Sequence, residues 1–273
     1  MHSTASSFRC RKSRSDLKAA PRPPFRPWPA LTRGAGLALA LVAGVPGPGS
    51  SASEAWRTAP LVTAELTDPT ERYPHGVLGD SIEYGALLLQ YPPDNARYVI
   101  RLPQTRVFED IEARLVDVDG DGQLEAMVVE SHQNKGARLS FYNGGGLIAA
   151  TPYIGQRNRW LAPIGVADLD GDGHVEIGFI DRPHLAKTLR IWRFERGALR
   201  ELAAHEGLTN HKIGWDVIAS GIRECGDGPE MITADADWRH VIATRFDGKE
   251  ISTRRIDTYE SRASIAQALS CAH

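Results

Sequence analysis

The segment Asp117-Val118-Asp119-Gly120-Asp121-Gly122-Gln123-Leu124-Glu125 has a near copy, Asp168-Leu169-Asp170-Gly171-Asp172-Gly173-His174-Val175-Glu176, in this 273-residue chain. Both segments place a carboxylate at positions one, three, five and nine, and a glycine at positions four and six. Glycine readily adopts the positive φ that a tight turn requires. Runs rich in Val, Ile and aromatic residues flank both segments. The pattern therefore predicts two acidic turns, each joining a pair of β-strands.

The carboxylate spacing in these turns predicts calcium binding. Calcium prefers roughly six to eight oxygen ligands, and carboxylates at alternate positions of a tight turn converge on one point. A helix-loop-helix calcium site needs an acid at position twelve, but those positions hold Val128 and Phe179. Two calcium ions are expected, one bound by Asp117, Asp119, Asp121, Gln123 and Glu125 and one by Asp168, Asp170, Asp172, His174 and Glu176, with backbone carbonyls serving at Gln123 and His174. The alternative is an Asp-Gly hairpin without metal.

The two segments belong to a repeat of about 51 residues. A third, degenerate copy begins at Trp215-Asp216-Val217-Ile218-Ala219, and a partial copy precedes the first segment at residues 84–102. Each unit offers about four short strand-like runs, which is the composition of a propeller blade. Only residues 261–269 have the pattern of a helix. The sequence predicts an all-β fold, a small β-propeller of four blades, with five blades as the alternative.

These features together resemble the FG-GAP and VCBS repeats, which form the blades of integrin α-subunit-type propellers. The resemblance covers about residues 75–257 and is strongest in the two acidic segments. The third copy departs from it, since Arg223 and Cys225 stand where acids are expected. The resemblance implies calcium in hairpins at the rim of the blades. It also implies a role in adhesion or ligand binding, with some members attached to enzymes.

Residues 1–55 differ from the rest and predict a signal peptide and leader. Eight basic residues precede an apolar run from Ala35 to Val45, and small residues follow with cleavage patterns ending at Ala52 or Ala55. The apolar run is too short to span a bilayer. We therefore expect residues 56–273 to form a periplasmic or secreted domain without a stable membrane span.

Charge and cysteine content agree with that expectation. Residues 56–273 carry 24 basic and 32 acidic residues, a net charge of −8. This balance argues against nucleic acid as a partner. Cys225 and Cys271 remain after the leader, and two cysteines in an oxidising compartment predict a disulfide.

A ligand surface is predicted where polar and aromatic connections precede the first strand of each repeat. Its candidate residues are Arg157, Arg159, Trp160, His211 and Lys212. Propeller symmetry would bring these connections to one face, and loops on a rigid scaffold commonly bind ligands. A basic group there would suit an acidic or carboxylate-bearing protein or glycan. In the alternative, Trp160 packs between blades and the arginines pair with neighbouring acids.

Catalysis is the competing functional class. A propeller enzyme such as a polysaccharide hydrolase or lyase would need paired carboxylates in its central funnel. The segments Gly79-Asp80-Ser81-Ile82 and Asp237-Trp238-Arg239-His240 resemble blocks of GDS-type esterases, with Ser81 as nucleophile and His240 as base. That fold requires alternating strands and helices, whereas this sequence has β repeats between the blocks. We therefore predict a binding module and not an enzyme.

Overall fold

Antiparallel β-strands account for about half of residues 52–92 and 94–271, which are the residues that this computed structural model describes. Residues 1–51, which hold most of the predicted leader, lie outside the described residues. A 3-10 helix, Ala52–Arg57, opens the described part of the chain. Its Ala55 and Trp56 pack against a core cluster that contains Leu87, Leu89 and Phe108. The predicted boundary between residues 55 and 56 therefore falls inside this helix.

The strands form four groups that follow the four repeat units of the sequence. The first group contains β1 (Thr63–Thr70), β2 (Glu83–Tyr91) and β3 (Ala96–Arg101). The second contains β4 (Arg106–Phe108), β5 (Arg114–Val116), β6 (Glu125–His132), β7 (Gly136–Asn143) and β8 (Gly146–Ala150). β4 pairs with both β2 and β6, so these two groups share one eight-stranded sheet.

The remaining groups form separate sheets. The third group is β9 (Leu161–Ala167), β10 (Glu176–Asp181), β11 (Thr188–Glu195) and β12 (Ala198–Glu206), paired in that order. The fourth is β13 (Leu208–Thr209), β14 (Gly221–Glu224), β15 (Pro229–Asp235), β16 (His240–Phe246) and β17 (Ile251–Thr258). A single α-helix in the described part, α1 (Arg262–Leu269), follows β17, which confirms the helix predicted over residues 261–269.

Consecutive groups stack through apolar faces. One core cluster joins Phe141 of the second group to Trp160 and Phe179 of the third. Another joins Ile180 and Leu189 of the third group to Met231 of the fourth. Each large apolar side chain buried in this way contributes about 1.5–3 kcal/mol to stability. The all-β prediction is confirmed, and the stacked antiparallel sheets have a β-propeller-like arrangement.

The middle strands need residues that tolerate burial on both faces. Every residue of β10 is buried, because the neighbouring sheets cover both sides. The third and fourth groups approach so closely at Gly178 that a Cβ there would lie 2.6 Å from Met231 Sδ. Replacing Gly178 would therefore force the Met231 side chain to move.

The start of the third sequence copy is corrected by the structure. The predicted strand at residues 215–219 is not a strand, and β14 begins instead at Gly221. Trp215 turns its ring toward His211 and Trp238, and Ala219 N–H donates to the Asn210 carbonyl. These contacts hold the segment as an irregular connection. Among the described residues, no helix has both the length and the apolar character needed to cross a membrane.

Candidate functional site

The two acidic turns, named loop 1 (residues 117–125) and loop 2 (residues 168–176), fold in the same way. In loop 1, Asp117 accepts hydrogen bonds from the backbone N–H of Gly120 at 2.8 Å and of Gly122 at 3.0 Å. Asp168 accepts the equivalent bonds from Gly171 and Gly173 in loop 2, at 2.8 and 3.0 Å. All four glycines have φ between 75° and 88°, which confirms the predicted positive φ.

The ninth residue of each loop fixes the start of the next strand. Glu125 accepts from Val118 N–H at 3.1 Å, and Glu176 accepts from Leu169 N–H at 2.9 Å. Both glutamates are buried. Each carboxylate thus points back into its own loop, although it belongs to a strand.

Three predicted ligands converge in each loop. Ligand atoms of Asp117, Asp119 and Glu125 all lie within 4.8 Å of one another, and those of Asp168, Asp170 and Glu176 do the same. The fifth-position acids lie outside these groups, and each accepts from the backbone N–H two residues later. Gln123 and His174 are therefore positioned by Asp121 and Asp172, respectively.

The electrostatics of loop 1 favour a bound cation. The pKa of Glu125 is raised to about 7: burial raises it most, the hydrogen bond from Val118 N–H opposes burial, and the charges of Asp119 and Asp121 add to the rise. Burial and the charge of Asp121 also raise the pKa of Asp119. A cation between these groups would remove the repulsion.

Loop 1 also contains a side-chain oxygen whose hydrogen-bonding capacity is unmet. The Gln123 side-chain oxygen is buried and has no hydrogen-bond partner among the described residues. A buried acceptor without a partner costs about 1–3 kcal/mol unless an ion or water satisfies it. Loop 1 lines a cavity of about 340 Å³ together with Trp56, Tyr91 and Asn143. The residues of loop 1 therefore fit a calcium ion.

Loop 2 already contains a positive charge, which Arg193 supplies from the second strand after the loop. The guanidinium of Arg193 on β11 lies 2.5 Å from Glu176 Oε1, 2.9 Å from Asp170 Oδ2 and 2.7 Å from Asp172 Oδ2. Burial raises the pKa of Glu176, and the hydrogen bonds from Leu169 and Arg193 oppose that effect. The sequence interpretation missed Arg193, which stands 17 positions after Glu176.

The turn between β14 and β15 has Arg223 and Cys225 where loops 1 and 2 have acids, as the sequence indicates. Glu224 nevertheless reproduces the role of Asp117, because its Oε1 accepts from Gly226 and Gly228 N–H, both at 3.0 Å. Cys225 in this turn is joined to Cys271 by a disulfide, with Cα atoms 5.8 Å apart. The predicted disulfide is present.

The connections predicted to form a ligand surface meet beside a cavity of about 240 Å³. Trp160 is buried and donates from Nε1 to the Glu109 carbonyl at 2.9 Å. Its ring centroid lies 4.8 Å from that of His211. Arg159 lines the cavity, and Arg157 places its guanidinium over the Tyr73 ring at 5.2 Å. Within the described ranges, neither arginine forms an ion pair.

The other two predicted surface residues have different surroundings. Lys212 Nζ lies over the rings of Trp215, Trp238 and Tyr259, at 5.4, 4.7 and 5.4 Å, and does not line the cavity. Burial lowers the pKa of His211, so this ring is uncharged at neutral pH. The basic character of the cavity comes from its arginines.

Two histidines of the cavity have defined hydrogen-bonding roles. His211 Nε2 lies 2.9 Å from the Trp215 carbonyl, which can only accept. His211 Nδ1 is therefore an acceptor, and His184 Nε2 donates to it across 3.0 Å. Burial lowers the pKa of His184 to about 4. His75, which also lines the cavity, contacts the buried Glu109 through Nδ1 at 2.5 Å.

The esterase alternative finds no support in these contacts. His240 bonds Asp235 at 2.6 Å through Nδ1, whereas Asp237 faces Arg239 at 3.7 Å. Ser81 lies exposed in the loop before β2. The described residues contain antiparallel sheets and one helix in place of the alternating strands and helices that this esterase fold requires.

Comparison with known proteins agrees with the geometry of the loops. The family model of the FG-GAP-like repeat matches residues 117–179, which contain both loops and the strands between them. The predicted resemblance to FG-GAP repeats is confirmed over these residues. No curated protein matches the chain.

Proposed function

We propose that this FG-GAP-like repeat chain is an exported, calcium-stabilised binding module for a protein or glycan ligand, and that it is not an enzyme. The single observation that carries the calcium assignment is the convergence of Asp117, Asp119 and Glu125 within 4.8 Å. Calcium would be held in loop 1 by these carboxylates and would supply the positive charge that the loop lacks. The Cys225–Cys271 disulfide supports export to the periplasm or the medium, because disulfides persist in oxidising compartments.

Calcium is expected to raise the melting temperature of the purified protein. A ligand that binds only the folded state stabilises it by about 2.7 kcal/mol at a hundredfold excess over Kd. Melts in millimolar calcium and in chelator, followed by circular dichroism, measure this difference. The Asp119→Asn variant should lose the calcium effect, whereas Glu65→Gln, an exchange on the edge strand β1, should retain it. Identical wild-type melts in calcium and chelator would contradict the calcium assignment.

The cavity beside Trp160 is the proposed ligand site. Arg159 faces it with no acidic partner in the part of the chain that the structure describes, and Arg157 adds a second positive charge nearby. The rings of His75 and His184 and the apolar side chains of Val77 and Ile213 also line it. Such a lining suits a carboxylate that is attached to an apolar or sugar framework. On a domain of net charge −8, this local basic group would direct acidic ligands to one face.

Replacing Arg157 and Arg159 by alanine is expected to weaken acidic-ligand binding about tenfold, because one lost charged hydrogen bond corresponds to about 1.5 kcal/mol. Retention on immobilised polygalacturonate, compared with neutral dextran, measures the effect. Arg97→Ala on β3 serves as the control, since Arg97 is exposed and lies outside the cavity lining. Equal retention of the double variant and the wild type, with equal melting temperatures, would show that these arginines bind no acidic ligand.

A further inference from the structure

Arg193 bonds three carboxylate oxygens of loop 2 whose counterparts in loop 1 have no hydrogen-bond partner among the described residues. Its contacts are Glu176 Oε1, Asp170 Oδ2 and Asp172 Oδ2. The counterparts in loop 1 are Glu125 Oε1, Asp119 Oδ2 and Asp121 Oδ2. These three oxygens accept no hydrogen bond from the described residues. The other oxygen of each carboxylate accepts a hydrogen bond from a backbone N–H of the loop, as in loop 2. The guanidinium therefore occupies the position where a cation would bind.

The pairing of the strands explains why only loop 2 has this cation. Glu176 on β10 pairs with Arg193 on β11. In the preceding group, Ala126 pairs with Tyr142, so the next position along β7, opposite Glu125, is Asn143. Asn143 uses its side-chain oxygen to accept from Gly145 N–H at 2.8 Å, within its own turn. No basic residue stands opposite Glu125.

The basic residue that lines the cavity of loop 1 is engaged elsewhere. Arg57 lines the same cavity, but its guanidinium lies over the Trp56 ring at 4.7 Å and pairs with Glu54 at 3.9 Å. The fourth group repeats the arrangement of loop 2. Met231 pairs with Thr244, so Arg245 stands opposite Glu230, and it bonds that carboxylate at 2.8 Å. The same strand position in three successive groups is therefore held by Asn143, Arg193 and Arg245. Among these, Asn143 alone leaves the acid opposite it without an arginine partner.

We propose that Arg193 is the built-in cation of loop 2 and that the chain binds one calcium ion, in loop 1. An arginine cannot lose its proton at accessible pH, so it cannot yield the position by becoming neutral. Calcium could enter loop 2 only if the guanidinium broke three charge-assisted hydrogen bonds, or if two like charges shared the loop. Loop 2 as folded therefore does not fit calcium. This inference rests on the proposed calcium binding of loop 1 and replaces the two ions predicted from the sequence.

Calcium stoichiometry tests the inference directly. Isothermal titration calorimetry and native mass spectrometry of the purified protein should give one ion for the wild type. Asp119→Asn should bind none, and Asp170→Asn, its counterpart in loop 2, should still bind one. Arg193→Asn, which gives loop 2 the residue found opposite loop 1, should bind two.

The outcomes separate this inference from the proposed function. Two ions on the wild type, or one ion that Asp170→Asn removes and Asp119→Asn does not, would overturn the inference and leave calcium binding intact. A wild type that binds no calcium would overturn the calcium assignment itself. If Arg193→Asn folds only in calcium, mass spectrometry of protein refolded in calcium supplies its count. One ion on that variant would overturn the role assigned to Arg193.

Discussion

Replacing Glu130 by alanine is expected to lower the free energy of unfolding by about 3–5 kcal/mol, the usual cost of removing one partner of a buried ion pair. Glu130 is fully buried on β6. Its carboxylate accepts from Arg106 and Arg138, both at 2.8 Å, and from the hydroxyls of Tyr142 at 2.6 Å and Tyr153 at 2.8 Å. Alanine would leave these four donors facing a cavity.

Urea unfolding of Glu130→Ala and Glu130→Gln at pH 7 measures the effect. The glutamine variant keeps the volume and the acceptor oxygen and loses the charge, so its loss should be smaller. A Glu130→Ala variant within about 1 kcal/mol of the wild type would contradict the assignment, because such a change is typical of surface sites.

The stability contributed by Glu130 should depend on pH in a defined direction. Burial alone would raise the pKa of this carboxyl, but hydrogen bonds from Arg138 and Tyr142 outweigh burial and lower it. A carboxylate with a lowered pKa in the folded state stabilises the protein above its ordinary pKa, and the stabilisation disappears as pH falls. The difference between the wild type and Glu130→Gln should therefore shrink below about pH 4, near the ordinary pKa of glutamate.

Removing the disulfide is expected to have an effect of similar size. Cys225 and Cys271 are 46 residues apart, and closing a loop of that length stabilises the folded state by about 4 kcal/mol in the chain-entropy model. The Cys225→Ser, Cys271→Ser double variant should show this loss in urea unfolding. Its C-terminal helix α1 keeps a second attachment, because Arg223 donates to the Ala268 carbonyl at 2.7 Å.

The redox state of the two cysteines can be checked without mutation. Intact-mass measurement after alkylation in the absence of reductant should show neither Cys225 nor Cys271 modified in exported protein. Recovery of both as alkylated thiols would refute the disulfide in the native protein. Comparable stability of the wild type and the double-serine variant would refute its predicted contribution.

The sequence was sufficient for the loops because their chemistry is local. Positions 117–125 and 168–176 contain the carboxylates that cap the turn and the glycines that allow it, so no distant contact is needed to predict them. The strand runs on either side of each loop were equally readable. The helix over residues 261–269 was predictable because Ser261 caps it within one turn.

Other elements depend on contacts that the sequence order conceals. Strand β1 was missed because Thr63–Thr70 is polar, contains a proline and lacks strict alternation. Pairing with β2 over most of its length holds it in the sheet. Arg193 was missed because its partner acids are neighbours only after β10 and β11 pair.

One missed feature did have a signal in the sequence. Each repeat places a second acid five residues after the glutamate that ends the loop, at Glu130, Asp181 and Asp235. In the structure, each of these acids bonds a basic side chain, as Glu130 does with Arg138, Asp181 with Arg190 and Asp235 with His240. Acids that recur at one position of the strands indicate carboxylates with a basic partner across the sheet.

The most direct test of the calcium assignment is a crystal structure of the wild-type protein grown in calcium, with anomalous diffraction data. We expect one anomalous peak in loop 1, about 2.3–2.6 Å from carboxylate oxygens of Asp117, Asp119 and Glu125. We expect loop 2 to hold the Arg193 guanidinium and no peak. An empty loop 1 in crystals grown in millimolar calcium would contradict the account at its centre.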